Sequence, residues 1–325
     1  MKLATLKTDS RDGRLIVVNR ALERFADAPA AWPTMQSALD DWARARDELD
    51  AVYRALQTGA VAGRALDMQR LAAPLPRAYQ WLDGSAYLNH VELVRKARGA
   101  EMPAALLTDP LMYQGGADVM LGCRDAITAG SEDHGIDLEA EVCVVTDDVP
   151  AACALTDAAR RIQLIGIVND ISLRNLIPAE LAKGFGFVHG KPPTAFAPVW
   201  ATPDELGDAW RDAKVHLPLR TWVNEQPLGA PECGVDMQFD FAQLIAHAAK
   251  TRPLGAGTII GSGTISNRDS SRGFCCLAEA RMLEIIEHGA PRTEFLKFGD
   301  RVTIDMTDAD GESIFGAIEQ TVTQR

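Results

Sequence analysis

The sequence predicts an α+β protein built mainly of β-structure. Three observations lead there. Short apolar runs rich in β-branched residues recur after residue 135, turn-forming residues separate them, and few stretches carry helical spacing. These runs do not alternate regularly with helices, which argues against a doubly wound parallel sheet. At 325 residues the chain can hold one large domain or two.

Taken in order, LATLK and RLIVVN flank TDSRDG, whose Asp12-Gly13 pair signals a hairpin. From Trp32 to about Gly59 the spacing predicts one helix. Pro33 suits its first position, and Leu39, Trp42, Leu49, Val52 and Leu56 recur along one face. Pro74 and Pro76 then open a different texture, so a small N-terminal α+β domain is expected over 1–75 and a larger one over 76–325. In the larger part DLEAEVCVVT, RIQLIGIVNDISL, VHLPLRTWVNEQPLG, GTIIGSGTIS, ARMLEIIEHG and DRVTIDMTDADGESIFGAIEQTVT all read as strands or hairpins. DFAQLIAHAAKT reads as a helix ending before Pro253.

A net charge of -12 and the lack of a basic stripe argue against a nucleic-acid partner. No apolar run has the length of a membrane span, and charges interrupt the N-terminus too early for a signal peptide. A cytoplasmic protein is therefore expected, with a small molecule as its partner. The six cysteines include no C-x-x-C pair and read as buried thiols. Pro192 stands where a phosphate loop needs Ser or Thr, and GAGTIIGSG places its third glycine one position late for a dinucleotide fingerprint. Neither G-x-S-x-G nor H-E-x-x-H occurs.

The chemistry-bearing anomaly is GIDLEAEVCVV. Glu139 and Glu141 lie two apart in a strand and share a face with Cys143 and Val145. They are either exposed strand residues or a pair at the mouth of a partly buried site. Next, LIGIVND is an apolar strand closed by Asn169 and Asp170, where Asp170 is either a turn residue or an oxygen ligand for a hard cation. In WLDGSAYLNHVELVRKA, Asp83 is expected in a turn and His90 near a helix start.

Together these pieces resemble the fumarylacetoacetate hydrolase family, including bacterial fumarylacetoacetase-like and acylpyruvate hydrolase proteins. The carriers are DGSAYLNH, the E-x-E of DLEAEV, IVNDISLRN, GKPPTAFAPVW and GSGTISNRDSSRGFCCLAE, in the family's order over roughly residues 80 to 280. The resemblance implies a mixed β-roll catalytic domain, usually homodimeric, with a divalent metal: Mg²⁺ first, Mn²⁺ or Ca²⁺ as alternatives. It places Glu139, Glu141 and Asp170 on the common metal ligands and Asp83 on a fourth. It gives His90 the role of activating water, with Glu279 as its acidic partner. Lys191 and Arg174 match cationic residues facing the substrate, and Thr264 a hydroxyl that contacts the substrate carboxylate. The departures are Ile177 in place of a glutamine, Leu181 near an expected tyrosine, K-P-P-T after Gly190, and Glu92 two places after His90.

The activity implied is hydrolytic C–C cleavage of a β-diketo acid. Fumarylacetoacetate, split to fumarate and acetoacetate as in tyrosine breakdown, is the first candidate; acylpyruvates and fumarylpyruvate are alternatives. The same metal–enolate site could serve a lyase, a β-keto acid decarboxylase or sugar-acid dehydratase, and the fold could persist in a non-catalytic binding protein.

Overall fold

The computed structural model describes residues 1–97, 101–184 and 186–325. Its centre is a long sheet whose edge strand is Arg64–Ala65 and which continues through Arg24–Asp27, Arg14–Val18, Lys2–Leu6, Trp200–Ala201, Ile162–Asn169, Ala140–Thr146, Ile259–Gly261, Trp81–Gly84 and Met112–Gly115. Neighbours along this path are antiparallel, except that Ile259–Gly261 runs parallel to Trp81–Gly84. A second sheet orders Gln226–Gly229, Arg220–Val223, Arg301–Asp305, Ile318–Gln324 and Ile127–Ala129. The molecule is thus the mainly β, α+β protein that the strand-rich pattern predicts. Among the described residues, no helix is long and apolar enough to cross a membrane. All six cysteines are free and buried.

Strand periodicity explains how the central strands pack. Along Ala140–Thr146, Val142 and Val144 enter one apolar cluster while Cys143 and Val145 enter another on the opposite face. The second cluster holds Trp81, Phe196 and Trp200, whose rings meet edge to face at 5.9 and 5.8 Å.

Two expectations about helices are corrected. The stretch after Trp32 forms two helices, Met35–Leu39 and Trp42–Gln57. Thr34 caps the first reciprocally with Ser37, so Pro33 lies outside it. Asp41 leaves helical geometry at φ -135° between them. Adjacent aspartates are poor helix formers, and the break lets Met35, Leu39, Trp42, Leu49 and Tyr53 all reach the core. The run ARMLEIIEHG, expected as a strand, lies in the helix Leu277–His288. Its β-branched Ile285-Ile286 pair suggests a strand, but Ala, Arg, Met, Leu and Glu favour a helix, and Gly289 ends it in the left-handed conformation at φ 81°.

The N-terminal hairpin joins the central sheet directly, Leu3 pairing with Trp200. Leu49 and Tyr53 share an apolar cluster with Val145 and Leu164. We therefore expect Leu49→Ala to cost about 2–5 kcal/mol, read as a lower midpoint of one denaturation transition. Two separated transitions would show that the N-terminal segment unfolds alone.

Candidate active site

Pairing register brings the carboxylates together. Gly261 lies directly across from both Cys143 and Asp83, so those side chains point to one face of the sheet, and Glu141 joins them two residues before Cys143. Asp83 is therefore a strand residue of Trp81–Gly84, not the turn residue expected. A β-carbon at Gly261 would sit 2.4 Å from Asp83 Oδ1, so only glycine leaves this carboxylate its space. The backbone N–H of Gly263, at φ 76°, donates to the same oxygen at 2.9 Å.

Asp170 enters from the other side. Ile162–Asn169 pairs with Ala140–Thr146, setting Val168 opposite Glu141. The strand then ends: Asn169 Oδ1 accepts from the Glu139 N–H at 3.0 Å, and the Asp170 N–H donates to the Glu139 carbonyl at 2.9 Å. Carboxylate oxygens of Asp83, Glu141 and Asp170 consequently lie within 4.8 Å of one another, all three side chains being buried. Exposure of the glutamates on an ordinary strand face is excluded, since Glu141 is fully buried and Glu139 nearly so.

The surroundings divide these acids into two kinds. Lys191 Nζ donates to Glu139 and, at 2.6 Å, to Asp170 Oδ2. Arg174 Nη2 lies 2.7 Å from Glu139 Oε1, and its Nε donates to Asp137 Oδ2 at 2.8 Å. Burial alone would raise Glu139, but Arg174 and Lys191 hold its carboxyl well below the usual range. Asp170 also accepts from Tyr113 Oη at 2.5 Å and Thr194 Oγ1 at 2.6 Å. Among the described residues, Glu141 has no hydrogen-bond donor on either oxygen. Burial, then the charges of Asp83 and Asp170, push it well above the ordinary carboxylate. Asp83 is pushed up to about 7, first by burial and then by Asp170.

Five carboxylates (Asp83, Asp137, Glu139, Glu141, Asp170) thus share two cations (Lys191, Arg174), so the acids outnumber the cations. A bare buried carboxylate such as Glu141 is costly unless a proton or cation meets it. The donors are hard oxygens, so the group that fits is a hard divalent cation. Asp83, Glu139, Glu141 and Asp170 are the acids that could hold it; in this structure Lys191 bonds both Glu139 and Asp170, and Arg174 lies against Glu139.

A second pair stands nearby. His90, on helix Leu88–Ala97, places Nδ1 2.7 Å from Glu279 Oε1 on helix Leu277–His288. A carboxylate there assigns the proton to Nδ1 and leaves Nε2 as acceptor. Asp137 accepts from the N–H groups of Leu277 and Ala278 at 2.8 and 3.0 Å, fixing that helix's first turn against Arg174. Burial, then Glu279, raise the neighbouring Cys276 thiol well above its ordinary value, which keeps it protonated.

Both groups open onto one cavity of about 480 Å³. Asp83, His90, Glu139, Glu141, Arg174, Lys191 and Thr264 line it, with Asp170 and Glu279 directly behind. Every site residue named from the sequence is therefore in or against one space. Glu92 turns instead to surface Arg268, 3.5 Å away. Tyr113, Thr194 and Asp137 escape sequence reading. Tyr113 sits in the four-residue strand Met112–Gly115, too short for periodicity, while Thr194 and Asp137 lie inside motifs whose other residues draw attention.

Comparison with known proteins adds the following. The family description "Fumarylacetoacetate (FAA) hydrolase C-terminal" matches residues 80–323, and "Fumarylacetoacetase N-terminal domain 2" matches 1–77. No curated protein matches the chain. Among solved structures, the fumarylacetoacetate hydrolase of the psychrophilic Exiguobacterium antarcticum is 19% identical, with TM-score 0.66 and 100% of both chains covered. The maleylpyruvate hydrolase of Sphingobium sp. SYK-6, in complex with manganese(II) and pyruvate, is 18% identical, with TM-score 0.65, covering 100% of this chain and 99% of that one. A 5-carboxymethyl-2-hydroxymuconate delta-isomerase from Mycobacterium smegmatis is 15% identical, with TM-score 0.61 and the same coverage. At these identities the likeness is one of fold.

The unpartnered state of Glu141 yields a test independent of turnover. Glu141→Gln should raise the unfolding midpoint of chelator-treated protein, by roughly 1 kcal/mol or more in stability, and abolish the further rise on adding Mn²⁺. A lowered midpoint in chelator, or an undiminished Mn²⁺ shift, would contradict the assignment.

Proposed function

The chain belongs to the fumarylacetoacetate hydrolase family, and we propose on that footing that it hydrolyses a carbon–carbon bond of a β-diketo acid. Within that class, fumarylacetoacetate and the acylpyruvates are the candidates the sequence motifs support. The observation that carries the reading is the placement of a donor-less carboxylate group and a His–Glu pair on one cavity.

In this reading Asp83, Glu139, Glu141 and Asp170 would hold a divalent cation of the Mg²⁺ or Mn²⁺ class. That cation supplies Lewis acidity, drawing electron density from the ketone oxygens. Glu279 fixes the His90 ring and its tautomer, so Nε2 can take a proton from water as general base. Lys191 and Arg174 keep Glu139 ionised, and Lys191 also bonds Asp170. Tyr113 and Thr194, by donating to Asp170, orient its carboxylate. Thr264, which follows the left-handed Gly263, offers a hydroxyl to the substrate's acid group.

The His90–Glu279 pair favours hydrolysis over a lyase reaction, because decarboxylation of a β-keto acid needs no water nucleophile. Two outcomes follow. Chelation should abolish turnover of diketo acids, followed by loss of enol absorbance, and Mg²⁺ or Mn²⁺ should restore it; full activity in excess chelator would remove the metal from the mechanism. His90→Ala should lower kcat by about 10²–10⁴-fold while keeping the Mn²⁺-induced thermal shift. Wild-type turnover in that variant would exclude His90 as the base.

A further inference from the structure

We infer that the substrate's acyl arm is apolar and uncharged at its far end, an alkyl or aryl group in place of a carboxylate-terminated one; this rests on the diketo-acid reading above. The cavity lining is of two kinds. Asp83, His90, Glu139, Glu141, Arg174 and Lys191 are polar, whereas Leu111, Ile177, Leu181, Phe187, Met282 and Phe295 supply an apolar surface to the same space. Leu111 and Leu181 are 52% and 47% exposed, so apolar surface stands open to water at the cavity until a ligand covers it.

This wall is built. Ile177, Pro178 and Leu181 share the cavity side of the short helix Ile177–Leu181. Glu180 turns away from it and accepts from the N–H groups of Val188, His189 and Gly190 at 3.0, 2.8 and 2.9 Å. Those bonds hold the segment that follows Phe187, a residue at φ 71°, uncommon for a bulky side chain. Its ring packs edge to face on Tyr113 with centroids 5.1 Å apart. A strained backbone fixed beside a ligand cavity marks a constrained contact.

The cations leave little to receive a distal carboxylate. Lys191 is paired with Glu139 and Asp170, and Arg174 with Asp137 and Glu139. Arg281 has no carboxylate ion pair among the described residues, but it completes the aromatic wall. Its guanidinium lies 4.1 Å above the Phe295 ring, and its Nη1 donates to the Thr293 carbonyl. Arg281 is thus the residue through which an acidic arm would have to be read, and it forms the control.

The test uses full-length, Mn²⁺-loaded protein with acetyl-, butanoyl-, hexanoyl-, benzoyl- and fumarylpyruvate. kcat/KM should rise roughly fourfold per methylene buried up to hexanoyl, and fumarylpyruvate should fall about tenfold or more below hexanoylpyruvate. Leu181→Gln should shrink the hexanoyl-to-acetyl ratio about tenfold, and Arg281→Gln should leave the fumaryl rate within about threefold. A flat chain-length series overturns the inference. So does a preference for fumarylpyruvate that Arg281→Gln removes. Absence of turnover with every acid would sink the hydrolase reading alone, because the same ligand ranking is read separately from thermal midpoints at saturating ligand.

Discussion

Placing more negative charge inside the molecule than its cations can balance is the constraint on which the site depends. Asp83, Glu141 and Asp170 come from three different stretches of chain, yet they meet within one ion's reach in a region shielded from water. Each neighbouring feature manages that concentration. Gly261 withholds a side chain, Gly263 turns an N–H inward, and Tyr113 and Thr194 each donate to Asp170. Lys191 and Arg174 neutralise Glu139. Among the described residues Glu141 is left without a donor, so its carboxyl calls for a proton or a cation beside it.

The apolar frame gives this charge its leverage. Trp81, Phe196 and Trp200 pack behind the same sheet face that carries Asp83 and Glu141, and low polarizability there strengthens every Coulombic effect. The frame also joins the two halves of the chemistry. Asp137 binds Arg174 with one oxygen and receives N–H donors from the helix bearing Glu279. The acidic centre and the histidine pair therefore share one rigid support, and a shift of that helix would disturb both.

Much of this was legible in the residues. The spacing of Glu139 and Glu141, the acid closing an apolar strand at Asp170, and the family-like contexts of Asp83 and His90 pointed to groups that the fold gathers around one cavity. Strand periodicity correctly divided Val142 and Val144 from Cys143 and Val145. The failures share a physical origin. ARMLEIIEHG contains adjacent isoleucines that favour either structure, and packing of this helix on the one bearing His90 decides it. Asp83 looked like a turn residue because Asp-Gly usually is one, whereas sheet pairing with Ile259–Gly261 overrides that preference. Tyr113 gave no signal, since its role arises only from lying across the sheet from Asp83.

Asn169 holds the bend that delivers Asp170, and its amide in turn donates at 3.0 Å to Gln320 in the second sheet, 151 residues downstream. Gln320 is braced by the Asp125 carbonyl at 2.7 Å. The consequence concerns the order of events during synthesis. At about 5–20 residues per second, a ribosome needs roughly eight to thirty seconds to make the partner that locks this bend. Throughout that interval the acids are already made, while the bend that carries Asp170 still lacks its bond to the second sheet.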